Sequence, residues 1–555
     1  MKLIHLLIIA ISLLFMQDIN AQSPNWVWAN RAGDINNEFL EGMAVDADGN
    51  IYITGYFNSP SFSIGGTTLV NDTSDGTSDL FIAKYDSSGN VLWAHSIGGN
   101  NWDYAYDLSI DASGNSYITG LFLSSSITFG STTLTSSGFY VAKFDASGNV
   151  LWVKSASVGT GFGIATDTVG NCFVAGTFTG SITFGSTTLT SAGSGDLFVV
   201  HYDMNGNVIW AKSGGGTNYD RANDIATDGF GNCYVTGYIA SATANFDTLV
   251  LTNSGGSCPG SPCFDFILLK YNAAGDVVWG TKAGGINADN GVAITTDYNG
   301  NCLVAGYYNS DSIDLANITL QNSFPGSGEI FIAKYDSSGN VLWANSPAGN
   351  KLDNVGAIAS DADGNCLITG YFTSDSITFG NYTFQLSDSG AGDIFIAAYD
   401  STGTVSWAKT VGGNKTEIGA GIGSDTHGAF YVSGWTMSDT LVIGNTDLLN
   451  AGQADIFNLK LARGSLTSIS KTDFTRDPFL IYPNPAVNMF SVSNRNSGNL
   501  FQIIISDVRG NIVFNSGVDT SSYMEISTKY FSSGIYFVRI QTSETVYTKK
   551  LIIER

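Results

Sequence analysis

Short apolar runs recur along most of the chain, each bounded by clusters of Gly, Asn, Asp and Ser. In one copy Met43-Ala44-Val45-Asp46 is followed by a Gly-Asn turn and Ile51-Tyr52-Ile53-Thr54-Gly55-Tyr56-Phe57. A variable loop then leads to Asp79-Leu80-Phe81-Ile82-Ala83-Lys84-Tyr85-Asp86, and Ser87-Ser88-Gly89-Asn90 turns the chain into Val91-Leu92-Trp93-Ala94. Runs this short, rich in β-branched and aromatic residues and closed by turn formers, predict strands; no helical period competes with them. We name the four strands of a unit inner, second, third and outer. Seven outer strands carry Trp28, Trp93, Trp152, Trp210, Trp279, Trp343 and Trp407, spaced 65, 59, 58, 69, 64 and 64 apart. Four antiparallel strands per unit of this length are what a propeller blade requires.

The two ends of the repeat decide its topology. The last third strand, Asp455-Ile456-Phe457-Asn458-Leu459, has no Trp strand after it, whereas Trp26-Val27-Trp28-Ala29 has no third strand before it. Each orphan completes the other. The chain therefore predicts an all-β fold: a seven-bladed β-propeller closed by the N-terminal strand, which removes the edges an open array would expose. An open solenoid would need polar caps, and none is evident.

Composition adds an address. The chain has 555 residues, 43% of them hydrophobic, with 66 Gly and 9 Pro, which excludes general disorder and suits many tight turns. Net charge is −24, so no nucleic-acid partner is expected. Residues 1–21 read as a signal peptide: Lys2, an apolar stretch from Leu3 to Met16, and cleavage after Ala21. No segment approaches the roughly 20 apolar residues of a transmembrane helix. Residues 22–462 form the propeller and 463–477 a linker, where charge changes sign. Residues 22–462 carry 13 basic and 40 acidic residues, and 463–555 carry 10 and 7. The tail, 478–555, alternates short strands and turns, as in a small C-terminal β-sandwich domain.

Two resemblances follow from these phrases. Tyr85-Asp86-Ser87-Ser88-Gly89-Asn90-Val91-Leu92-Trp93-Ala94 resembles the bacterial β-propeller repeats called SBBP repeats, over about residues 26–462. The resemblance implies a propeller outside the cytoplasm and no particular activity; the Gly-His and Trp-Asp pairing of WD40 repeats is missing. The tail resembles the type A C-terminal sorting domain of the type IX secretion system of Bacteroidota. The match rests on Tyr482-Pro483-Asn484-Pro485, Gly510, Gly534, Tyr536, Lys549 and Lys550. It implies passage through the periplasm, handling by the type IX machinery, and surface attachment or release.

Candidate chemistry is sparse. Cys258 and Cys263 bracket a tight loop and suit a disulfide in an exported protein. Cys172, Cys233, Cys302 and Cys366 occupy one repeat position that elsewhere holds Ile51, Ser116 or Phe430, so they read as buried packing thiols and not metal ligands. His95, His201 and His427 fall in unrelated places. Repeated turn acids such as Asp46 and Asp361 read as caps for turn amides. Calcium is the sharper alternative at Asp46-Ala47-Asp48-Gly49-Asn50 and Asp361-Ala362-Asp363-Gly364-Asn365, although neither follows an EF-hand; no other cofactor is indicated. On the opposite face, the outer-to-inner loops end in Asp103, Asp220, Asp289, Asp353 and Glu417, which read either as a ring of negative charge at the channel mouth or, since most units share the feature, as strand caps. Departures from the repeat on that face are Trp102, Arg221, Lys351, Lys415 and Trp435, and aromatics with polar neighbours suit sugar stacking. The leading expectation is a non-catalytic secreted or cell-surface propeller that binds glycan, matrix polymer or protein. A polysaccharide-active enzyme and a structural or adhesin component are the alternatives, the enzyme requiring an acid pair peculiar to one or two blades.

Overall fold

A computed structural model describes residues 23–73, 76–255, 257–258, 261–324, 326–361, 363–388, 391–462, 479–482, 484, 486–494, 501–507, 511–519, 523–542 and 546–554. The expected signal peptide and linker lie outside them. Two compact units meet the chain division at Gly464/Ser465. Every element of the described residues is a strand.

The first unit holds seven four-stranded antiparallel sheets in a propeller-like arrangement. In the first, Glu38–Val45, Ile51–Phe57, Asp79–Tyr85 and Val91–Ile97 pair in that order as inner, second, third and outer strands. The inner strands of sheets two to six are Asp103–Ile110, Thr160–Thr166, Asp220–Thr227, Asp289–Thr296 and Asp353–Ser360. The seventh sheet combines both ends of the unit: Glu417–Ser424, Ala429–Thr436 and Asp455–Ala462, then Asn25–Ala32, with Trp28 opposite Lys460 and Ala29 opposite Leu459. Second and third strands are almost wholly buried between neighbouring sheets, which is why they read as continuous apolar runs.

The stretch expected as a variable loop is instead a second hairpin. In sheet one Ser61–Ile64 pairs with Thr67–Val70, burying Phe62, Ile64 and Leu69 on one face. Alternation over so few residues is easily missed, but it covers the sheet's flank with an apolar lid.

Neighbouring sheets are locked by one device. Six of the seven outer-strand Trp, all but Trp407, donate their indole N–H to the third-to-outer turn of the next sheet: Trp93 to Ala146 O at 3.2 Å, Trp152 to Met204 O at 3.1 Å, Trp279 to Ser337 O at 3.1 Å. The ring also lies on the Gly of that turn. At Gly339, φ is +87°, and a Cβ there would stand 2.9 Å from the Trp279 ring. The Asp that opens each turn accepts its amides, as Asp86 Oδ1 does from Ser88 and Asn90, both at 2.9 Å. The repeated Asp, Gly and Asn thus shape the socket for the preceding sheet's Trp.

The second unit has a three-stranded sheet (Phe479–Tyr482, Met489–Asn494, Tyr523–Ser527) and a four-stranded one (Ile512–Asp519, Phe501–Asp507, Gly534–Thr542, Val546–Ile553). Phe490 and Val492 of the first share one core with Ile503, Ile505, Val538 and Leu551 of the second. Asn484 ties the opening motif to the last strand, donating to Lys550 O at 2.8 Å and accepting from Ile552 N at 2.8 Å. Tyr536 is buried and donates to Ser532 O at 3.0 Å, and Gly534 opens its strand at φ +153°. Lys549 and Lys550 pair in register with Val538 and Phe537. Pro483, Pro485, Gly510 and the Tyr482 side chain lie outside the described residues.

Candidate functional site: the channel and its mouth

All seven inner strands carry a β-bulge at one position, as between Leu40 and Gly42 or between Ala105 and Asp107. The strands open buried–half-buried–buried–half-buried, so two residues of each face the channel before the register shifts. The outer tier is Phe39, Tyr104, Thr160, Arg221, Asn290, Asn354 and Ile418. The inner tier, made by the bulged residues, is Glu41, Tyr106, Phe162, Asn223, Val292, Gly356 and Ala420. Nothing in the architecture dictates these identities, and they differ from sheet to sheet.

Opposite the outer tier, second strands contribute Tyr56, Tyr238, Tyr307, Tyr371 and Trp435, paired in register with Phe39, Arg221, Asn290, Asn354 and Ile418. Rings touch in a continuous arc. Trp435 meets Phe39 edge-on at 5.1 Å, Phe39 meets Tyr56 at 5.3 Å, and Tyr56 meets Tyr104 at 4.8 Å. Tyr104 stacks on Trp102 at 6.3 Å and on Tyr106 at 5.7 Å, and Tyr106 touches Phe162 at 5.3 Å. The Arg221 guanidinium closes the arc, 3.5 Å over the Phe162 ring.

Below lies a cavity of about 800 Å³ whose walls include Glu41, Tyr106, Asp107, Phe162, Arg221, Asn223, Asp224, Asn290 and Asn354. Asp107 and Asp224 occupy the first place after the bulge, where the other sheets have Gly42, Gly163, Ala293, Ala357 and Gly421. Each bridges two sheets. Asp107 accepts from Leu108 N and Ile164 N, both at 2.7 Å, and Asp224 from Ile225 N at 2.7 Å and Ile294 N at 2.8 Å. Gly163 lets them approach: a Cβ there would sit 2.6 Å from Asp224 Cα. Removal from bulk water pushes Asp107 up to about 7, its two amide donors opposing. The same effect raises Asp224 well above the usual carboxylate range, with the charge of Asp107 adding to it. Glu41 is likewise pushed up to about 7, by desolvation alone.

Of the two readings of the mouth acids, the acidic ring requires correction and strand capping holds. Asp103, Asp220, Asp289, Asp353 and Glu417 are at most 1% exposed and face their own loops, away from the channel. Asp289 accepts from Gly285 N, Asn309 N, Ser310 N and Ser310 Oγ at 2.7–3.1 Å. Asp220 makes the equivalent set with Gly216, Ala240 and Ser241. Asp103 and Asp353 cap Ser124 and Ser374, and Glu417 caps Gly413, Thr436 and Ser438. At the first position of an inner strand an acid meets converging amides, and satisfying them outweighs exposure. Lys351 and Lys415 instead make exposed ion pairs with Asp375 at 2.5 Å and Asp439 at 2.6 Å.

The structure brings together Trp102, Arg221 and Trp435 in one arc with residues the sequence reading passed over: Glu41, Tyr106, Asp107, Phe162 and Asp224. For Asp107 and Asp224 the signal was available as departures from the repeat at a place otherwise held by Gly or Ala; for Glu41, Tyr106 and Phe162 it was only that their place varies from sheet to sheet. Elsewhere Cys263 is disulfide-bonded and Cys172, Cys233, Cys302 and Cys366 are free and buried; the Cys258 side chain lies outside the described residues. The Asp46 and Asp361 carboxylates accept from Asn50 and Asn365 and from turn amides. No three His, Cys, Asp or Glu side chains among the described residues converge to hold a metal ion.

Comparison with known proteins assigns the tail: residues 480–554 match the secretion system C-terminal sorting domain. The chain is thereby marked for type IX export to the outer surface or release. No helix among the described residues is long and apolar enough to cross a membrane. An uncharacterized WD repeat-containing protein of Acanthamoeba polyphaga mimivirus is 23% identical over 69% of this chain and 34% of its own length. The regulatory protein FlaEY of Caulobacter vibrioides is 24% identical over 54% of this chain and 32% of its own. The chain thus spans about a third of each relative. Among solved structures, the Dos1 propeller aligns at TM-score 0.37 and 8% identity over 79% of this chain and 95% of its own. Sqt1 from Chaetomium thermophilum aligns at 0.35 and 8% over 80% and 100%.

Proposed function

We propose that this is a secreted or surface-displayed seven-bladed β-propeller of the SBBP type, closed by its N-terminal strand and exported by the type IX system of a member of the Bacteroidota. Its mouth holds an extracellular glycan, and Cys258 and Cys263 form one disulfide at its rim. The carrying observation is the aromatic arc from Trp435 through Tyr104 to Phe162, set beside Arg221, Asn290 and Asn354. Ring faces stack on the apolar faces of sugars, while planar amide and guanidinium groups meet adjacent hydroxyls. The acids that repeat in every unit serve as caps and leave recognition to the residues that differ.

The test is a thermal-shift screen of the purified protein against polysaccharides, with calcium and EDTA as separate arms. A ligand at 100 times its Kd adds about 2.7 kcal/mol of stability, readily seen as a shift. Stabilisation by one polysaccharide class that is reduced in Tyr104→Ala supports the reading; no shift with any polysaccharide opposes it.

A polysaccharide-active enzyme is the second reading, favoured by Asp107 and Asp224, an acid pair peculiar to two sheets. Against it, both oxygens of each carboxylate already accept backbone amides. Release of reducing ends from the bound polymer, abolished in Asp107→Asn, would establish this second reading.

A further inference from the structure

Glu41 stands apart from every other channel residue. It is the one acid among the seven bulged positions. Among the described residues its carboxylate has neither a hydrogen-bond donor nor a cation, although it lines the cavity beside Tyr106. The carboxylate is half-buried in the cavity wall, partly withdrawn from water and without a partner, so a cationic group of the ligand placed there would be favoured.

Three further observations define the ligand. The chain's own guanidinium already covers Phe162, so one flank of the aromatic arc is served by Arg221, and the Glu41 flank has no cation among the described residues. Arg221 Nε and Asn354 Oδ1 are buried without partners, which calls for a ligand presenting both acceptors and donors, as hydroxyls do. Residues 22–462 carry 13 basic against 40 acidic residues, a field that concentrates cations at the mouth. We propose that the channel recognises a saccharide bearing a primary ammonium group, its hydroxyls facing Arg221 and Asn354, its ring against Tyr106 and its ammonium on Glu41. A cavity of about 800 Å³ admits a ligand of that size. This rests on the glycan reading above and narrows it to amino sugars.

The experiment is calorimetric titration of the purified protein with glucosamine oligomers, N-acetylglucosamine oligomers and glucose oligomers of equal length. The expected result is tighter binding of the glucosamine series by about ten- to a hundred-fold, the range of one charge-assisted hydrogen bond. Glu41→Gln should erase that preference while leaving binding of the glucose series unchanged. Ala420→Lys, in the adjacent sheet at the same tier, supplies an internal ammonium and should also erase it, which keeps the test sound if Glu41→Gln folds poorly. Equal binding of all three series, or a preference that survives both variants, overturns the amino-sugar inference and leaves the glycan reading standing. Binding of no oligomer, with Glu41-dependent binding of a lysine oligopeptide, overturns both.

Discussion

Lys460 donates its ammonium to the carbonyl oxygen of Ser87 at 2.9 Å, across 373 residues of sequence. Trp28 donates to the same oxygen at 3.2 Å. One turn of sheet one is therefore held by a third strand from the far end of the first unit and an outer strand from its beginning. Removing residues 22–30 should strip sheet seven of its outer strand, expose the edge of Asp455–Ala462 and lower the melting temperature markedly. Trp28→Ala alone should cost about 3 kcal/mol, measured by denaturant unfolding. An unchanged melting temperature after the deletion would refute closure by the N-terminal strand.

Trp407 and Trp343 occupy the same repeat position with different outcomes. Trp343 donates to Ser401 O at 3.1 Å, whereas Trp407 Nε1 is buried with no acceptor. The cause is topological: sheet seven takes its outer strand from the N-terminus and so has no third-to-outer turn to offer. Trp343→Phe should lose about 1–2 kcal/mol, from the bond and from the orphaned carbonyl. Trp407→Phe should cost measurably less, because the donor it removes was unsatisfied already. Paired unfolding curves decide it.

Turn glycines divide by what lies above them. Gly339→Ala should destabilise by about 2 kcal/mol or more, since its backbone is left-handed and the new Cβ meets the Trp279 ring. Gly66, at φ +88° with nothing within 4 Å, should accept Asn at little cost. Comparable losses at both sites would show that backbone strain alone, and not Trp seating, explains the glycine.

The buried caps set a pH response. Desolvation, opposed by hydrogen bonds, pushes Glu38 and Glu417 up to about 7 and Asp103, Asp289 and Asp353 up to about 6. With folded values above unfolded ones near 4, the folded state binds more protons between about pH 4 and 7, and stability falls as pH rises through that window. Turn acids such as Asp145 and Asp336, lowered mainly by Asn149 and Asn340, act oppositely and only below pH 4. Melting temperature should therefore be higher at pH 5 than at pH 8. A rise between those values would contradict the assignment of these acids as desolvated caps.

Much of the fold was legible because the repeat states it seven times: Trp, Gly-Asn turns and apolar runs each have one architectural duty. The added hairpins were less legible, since four residues such as Ser61–Ile64 alternate too briefly to stand out from a loop. The channel was least legible. Its residues are the ones the repeat leaves free, and a strand pattern does not reveal that a bulge turns Glu41, Tyr106 and Phe162 inward. The capping acids allowed two readings for the complementary reason: Asp and Gly in a loop look solvent-facing until the converging amides of Ser310 or Ser241 are seen.

Affinity should follow the arc and not the exposed charges around it. Tyr104 touches Trp102, Tyr56 and Tyr106, so Tyr104→Ala opens the centre of the arc. It should weaken binding of whichever polysaccharide the thermal screen identifies by about tenfold, the scale of one lost aromatic contact. Trp435→Ala, at the arc's end, should weaken it less. Lys351→Ala and Lys415→Ala remove cations held in surface pairs with Asp375 and Asp439, where water screens the charge, and should leave affinity and melting temperature unchanged. Titration of the four variants separates the alternatives: loss confined to the two lysines would place recognition on the rim charges, and loss confined to the aromatics places it in the channel mouth.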